Sequence, residues 1–136
     1  MKSLYYDKDG TPISDVLFWA KKYEALGYKR VAETTLSDGK WVSTVWLGID
    51  HSFRDDGPPI IFETMVFQSY EPLGSELETK RYSTLGEAKA GHAAMVARWE
   101  RRALKVRQVL PGAEKLPTDT PSRVHNLRPG KDRTKG

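Results

Sequence analysis

Glu33 and Glu63 each interrupt a run of strand-forming residues, "RVAETT" and "IIFETMVF". Two carboxylates brought close together push one another's pKa apart, so one keeps its proton while the other stays ionised. That is the arrangement of a general acid and base. Kept apart, the same carboxylates accept hydrogen bonds from a ligand. Thr44 and Trp46, in "STVWLG", add a hydroxyl and an indole, and Thr35 follows Glu33 by two positions. Glu33, Thr44, Trp46 and Glu63 therefore form the candidate ligand-binding set, and Glu33, Glu63 and His51 a candidate hydrolytic or nucleotide-acting constellation. An ionised carboxylate in a dry core is costly unless paired. The acids are accordingly expected on a wet sheet face, or beside Arg30 or Arg81.

Other chemistries lack their patterns. There is no cysteine, which removes thiol nucleophiles, disulfides and cysteine-bound zinc. His51 and His92 show neither HxxxH nor HExxH spacing, and His92 reads as a core histidine on a helix stripe. "RDDGPP" lacks the ligand run and closing glutamate of a calcium loop. The glycines of "STLGEAKAGH" do not form a phosphate-binding signature, and Ser43 has no nucleophile elbow. No catalytic residue, metal ligand or cofactor is assigned. No apolar stretch approaches the length of a membrane span, and the N-terminus lacks the apolar segment of a signal peptide, so the expectation is a soluble intracellular protein.

A second set of residues is electrostatic. The net charge of +4 divides into −3 over residues 1–97 and +7 over residues 98–136. Arg98, Arg101, Arg102, Lys105 and Arg107 crowd one segment, and Arg123, Arg128 and Lys131 follow beyond it. Such a cluster complements the C-terminal dipole of a helix, and it also suits phosphates or an acidic protein surface. These eight residues are the candidate macromolecule-binding set.

The elements that must position both sets follow from pattern. Ser14 or Asp15 caps a helix over 14–26, with Val16, Trp19, Ala20, Tyr23 and Leu26 at helical spacing. "YKRVAETTLSDGKWVSTVWLGID" reads as a β-hairpin around Asp38-Gly39. A two-residue loop there places Leu36 opposite Trp41, Glu33 opposite Thr44 and Val31 opposite Trp46. One face then carries Ala32, Leu36, Trp41, Val45, Leu47 and Ile49 as the core side. The other carries Val31, Glu33, Thr35, Val42, Thr44 and Trp46 as a mixed side, which Glu63 joins from a third strand over 60–67. A fourth, edge strand is expected over 77–83. A helix follows over 83–110, opened by a Thr84/Glu87 capping box. Residues 3–7 suggest a further short strand. The fold class is α+β: a four-stranded antiparallel meander sheet with two helices packed on one face, in a single domain over 1–110. Residues 111–136, rich in proline and charge, read as a flexible basic tail.

The segments "YYDKDGTPI", "YKRVAETTLSDGKWVSTVWLGIDHSF", "PPIIFETMVF" and "RYSTLGEAKAGHAAMVARW" resemble a family of small proteins of tailed phages, especially those of actinobacteria, and of related prophages. The resemblance runs from about Tyr5 to Trp99 and carries no established activity, so it transfers no catalytic residue. It implies a phage accessory protein acting in the host cytoplasm. The leading expectation is a non-enzymatic protein that binds a host or phage macromolecule, nucleic acid or an acidic protein surface. The alternatives are the small hydrolase or nucleotide-acting enzyme, and a small-ligand sponge built on the Trp46 face.

Overall fold

The computed structural model describes residues 3–109. The expected basic tail over 111–136, with Arg123, Arg128 and Lys131, lies outside the described residues. Four runs rich in β-branched and aromatic residues form strands β1 (Arg30–Thr35), β2 (Trp41–Trp46), β3 (Phe62–Phe67) and β4 (Glu76–Tyr82). They lie side by side in chain order, each antiparallel to the next. Three helices accompany them: α1 (Val16–Glu24), α2 (Leu26–Lys29) and α3 (Leu85–Val109). The architecture is α+β, a meander sheet with helices on one side.

The helix expected over 14–26 is divided in two. Asp15 caps it, accepting from the amides of Leu17 and Phe18. Ala25, extended at ψ 103°, interrupts it. One further turn follows, closed on the Ala25 carbonyl by the amides of Tyr28 and Lys29. That turn brings Tyr28 edge-on to Trp46, with ring centroids 5.2 Å apart, a tertiary contact that outweighs the helix-stopping tendency of Gly27. Residues 3–7 make only isolated bridges, Tyr5 to Ile49 and Tyr6 to Pro12.

The hairpin forms, but its register is slipped by one residue from the expected pairing. Thr35 faces Trp41, Thr34 faces Val42 and Glu33 faces Ser43. The Leu36 amide donates to the Lys40 carbonyl and the Gly39 amide to the Leu36 carbonyl, so the loop holds three residues. A two-residue type I′ turn needs positive φ at both central positions, Asp38 and Gly39. Here Gly39 alone adopts it, at φ 92°, and the loop closes as a turn followed by a left-handed glycine. Because side chains alternate faces, one step of slip moves the facing β2 side chains to the other side relative to Ala32–Thr35, up to the bulge before Ala32. The expected core and mixed faces are therefore both corrected. Ala32 and Thr34 of β1 and the even-numbered residues of β2 and β3 share the helix side, whereas a bulge between Arg30 and Ala32 pairs Arg30 with Val45 and lets Val31 pack against the Trp46 cluster; Trp41 and Val45 stand on the opposite side.

On the helix side lie two apolar clusters. One holds Tyr6, Trp46, Ile61, Phe62, Tyr82 and Ala88, with Trp19 and Tyr28 against it. The other holds Leu36, Val42, Val66 and Met95, with Val96 and Trp99 against it. Between them runs a polar layer. Thr44 and Thr64 are paired across β2 and β3, their hydroxyls hydrogen-bonded at 2.5 Å, and His92 of α3 lies over them.

The start of α3 follows its expected chemistry. Thr84 Oγ1 accepts from the Glu87 amide, and Glu87 Oε1 accepts from the amides of Ser83 and Thr84.

Candidate functional site

The basic segment belongs to the second half of α3. Positions 98, 101, 102 and 105 fall at i, i+3, i+4 and i+7, which is one side of a helix. Arg98 is fixed at the sheet edge: its guanidinium donates two parallel bonds to Glu78 of β4, at 2.8 and 3.0 Å. Trp99 Nε1 donates to the same carboxylate at 2.8 Å. The hydrogen bonds from Arg98, aided by Trp99, hold the Glu78 carboxyl below its ordinary range, and the Arg98 guanidinium is raised in turn. On the other flank, Glu100 accepts from the Ser37 amide at 3.0 Å and from its hydroxyl. These two contacts clamp α3 between β4 and the β1–β2 turn.

Past Glu100 the helix runs on to Val109, roughly 13 Å at 1.5 Å per residue. Arg101, Arg102 and Lys105 are exposed there. Arg102 lies over the Trp99 ring at 4.3 Å from its centroid. Arg107 is half-buried. Exposed Leu104 and Val106 accompany the cations. The structure thus places the five helical members of the candidate macromolecule-binding set on one element, three of them exposed on one side.

The expected ligand cleft is divided between two faces. Thr44 and Trp46 are both 0% exposed and point under the helices. Trp46 Nε1 donates to the Tyr6 carbonyl at 3.1 Å, and Thr44 Oγ1 meets His92 Nδ1 at 2.7 Å. Their polar atoms are spent inside the core, and neither side chain reaches an open face. Glu33 and Glu63 lie on the opposite side of the sheet. Glu33 faces Ser43 and Glu63 faces Val45, so their strands are separated by β2, roughly 10 Å backbone to backbone. Each carboxylate turns to an arginine: Arg30 lies 3.6 Å from Glu33, and Arg81 donates to Glu63 at 2.9 Å. His51 is elsewhere, its Nδ1 at 2.9 Å from the Ile49 carbonyl. The three do not converge as a catalytic group requires.

His92 is buried, as its place on the helix stripe led us to expect. Nε2 lies 2.9 Å from Thr34 Oγ1, and Nδ1 faces Thr44. A neutral imidazole suits this position, because one nitrogen donates and the other accepts. Burial lowers its pKa to about 4. Among the described residues no group of three His, Asp or Glu side chains is arranged to hold a metal ion, and no helix is long and apolar enough to cross a membrane.

Two features escape reading by pattern. Asp7 closes the run over residues 3–7 and carries no pattern of its own, yet it gathers Lys22, 2.9 Å away, and the Tyr28 hydroxyl. Burial alone would raise the Asp7 carboxyl, but the hydrogen bonds from Tyr28 and Lys22 outweigh it and lower the pKa. The second is Phe53, which immediately precedes the "RDDGPP" segment. Its ring is 85% exposed, and at φ 55° it is the one non-glycine with positive φ among the described residues. A left-handed backbone costs a residue with a Cβ about 1–2 kcal/mol. No periodicity announces such a position; the loop's closure imposes it. Compared with known proteins, the chain matches no family model, no curated protein and no solved structure.

Proposed function

We propose that this chain is a non-enzymatic binding protein that engages the acidic surface of a macromolecule through the distal half of α3. The observation that carries this reading is the exposed row of Arg101, Arg102 and Lys105 on a helix braced at Arg98, Trp99 and Glu100. A braced helix presents its cations with little loss of freedom on binding, and the remainder of the described body is mildly acidic, which directs a polyanion to this end. The resemblance to small phage proteins supplies the setting: an accessory protein acting on a host or phage component in the host cytoplasm.

The test is a titration of the full chain with a labelled random-sequence DNA duplex and, in parallel, with polyglutamate. Reversing the three charges together, Arg101→Glu, Arg102→Glu and Lys105→Glu, should weaken binding to the preferred polyanion by roughly a hundredfold, at ~1 kcal/mol for each lost contact. These exposed substitutions leave the clamp at Glu78 and Ser37 in place, so the variant should stay folded, its thermal midpoint lowered by the lost Arg102–Trp99 contact and by acids at the C-terminal end of the helix dipole. Unchanged affinity in a folded variant would remove this surface from the function.

A further inference from the structure

The exposed cations of α3 have particular neighbours. At about 100° per residue, the order around the helix beyond the clamp runs Leu104, Arg101, Lys105, Arg102, Val106. The cations fill an arc of about 100° and the two apolar side chains bound it, one on each flank. Ala103, buried, and Trp99, packed against the core, occupy the side turned to the sheet. Leu104 is 44% exposed and Val106 53%, so neither is placed there by the protein's own core.

The other charges of the segment are committed. Arg98 is bound to Glu78, and Glu100 to Ser37. Arg107 is half-buried and already engaged. Arg102 rests on the Trp99 ring, and its charge also bears on Glu78. With the Arg98–Glu78 pair set aside, Glu100 offsets one cation among Arg101, Arg102, Lys105 and Arg107, and the segment stays positive.

The order of side chains discriminates among polyanions. The walls of a DNA major groove are phosphate backbones, so a helix seated there needs polar or cationic flanks. Here the flanks are Leu104 and Val106. A duplex lying across the row would meet the cations alone and leave both apolar side chains in water. A helix lying on lipid has the reverse order, an apolar centre with cations beside it. Cations bounded by apolar side chains match a protein surface, where apolar contacts and arginines lie together.

We infer that the partner is a protein whose carboxylates face Arg101, Arg102 and Lys105, with apolar side chains on either side of those acids that cover Leu104 and Val106. The inference rests on the reading of α3 as the binding surface and names the class of molecule that this surface takes.

The experiment titrates the full chain with three labelled probes: polyglutamate, a glutamate–leucine copolymer with the same number of carboxylates, and a random-sequence DNA duplex. The wild-type chain should bind the copolymer roughly tenfold more tightly than polyglutamate. Leu104→Gln combined with Val106→Gln should erase that advantage and leave polyglutamate and duplex affinities within about twofold of wild type. Glutamine is a good helix former, so the helix is retained. Leu104→Met combined with Val106→Ile should keep the advantage, which separates loss of an apolar contact from a disturbed helix. The inference is overturned if wild type shows no preference for the copolymer, if the preference survives the glutamine pair, or if the methionine–isoleucine pair loses it. It is equally overturned if the glutamine pair weakens duplex binding as much as copolymer binding, which would set these side chains against nucleic acid. The triple charge reversal is measured alongside. If it leaves polyglutamate binding intact, the reading of α3 as the binding surface fails. If it weakens all three probes while the apolar variants change nothing, that reading stands and the protein partner is lost.

Discussion

At His92 two threonine hydroxyls occupy both ring nitrogens, and a proton added to the ring would be buried without a counter-charge. In the unfolded chain the imidazole titrates near 6.5, whereas in the folded chain burial lowers it to about 4. A base with a depressed folded pKa is protonated first in the unfolded state, so acid favours unfolding. The loss begins as pH falls through about 6.5 and levels off below about 4, reaching ~3 kcal/mol. Urea unfolding at pH 7 and pH 4.5 should show it. His92→Gln, which keeps one donor and one acceptor, should flatten the stability curve across that window. A wild-type and variant difference that stays constant with pH would show that His92 does not titrate as its burial requires. The neighbouring Thr44→Val is nearly isosteric but leaves Thr64 and His92 short of a partner. It should cost about 1–3 kcal/mol at pH 7, read from the same curves.

For the elements, the sequence was informative where a signal is local. The Asp15 cap and the Thr84/Glu87 capping box each depend on residues within one turn, and both appear as read, whereas the helical spacing over 14–26 missed the break at Ala25. The order of four antiparallel strands followed from short connections. Register was less legible. It depends on whether Asp38-Gly39 forms a whole two-residue turn or the end of a three-residue loop, and the same dipeptide serves both. Gly39→Ala decides the matter. At φ 92°, with nothing within 4 Å of an added Cβ, it meets only the backbone penalty, about 1–2 kcal/mol. Asp38→Ala should cost less, because Asp38 does not adopt positive φ and loses only its exposed contacts to the Lys40 amide and ammonium; a Gly39→Ala loss no larger than the Asp38→Ala loss in thermal unfolding would show that the left-handed glycine does not hold the loop. A second contrast lies along α3. A Cβ added at Gly86 would have no neighbour within 4 Å, whereas one at Gly91 would strike the Tyr82 ring. Gly86→Ala should stabilise by up to about 1 kcal/mol. Gly91→Ala should destabilise by about 1–3 kcal/mol, as measured by denaturant midpoints.

Across the whole molecule, the two candidate surfaces fared differently for the same physical reason. Arg101, Arg102 and Lys105 share a side by helical spacing alone, so their placement is independent of how the sheet pairs. Glu33, Thr44, Trp46 and Glu63 could share a cleft only with the expected register, and one residue of slip sent Thr44 and Trp46 inward. What remains is a polarised charge distribution: −3 over residues 1–97 against +7 over residues 98–136. If the basic region meets phosphates, binding must weaken with salt in proportion to the contacts made. Three contacts from α3 contribute a slope of about −3 in log K against log salt. Residues 110–136 contain six further Lys and Arg, so truncation after Val109 removes whatever share they supply. Duplex binding measured across a salt series should therefore give the steepest slope for the full chain and a shallower one for the truncated chain. Reversing the α3 cations should flatten the truncated chain's slope by a further three, approximately. Counterion release counts contacts, so the two decrements should add. Equal slopes for the full and truncated chains would confine the contact to α3, and a slope untouched by both changes would place the polyanion on some other surface.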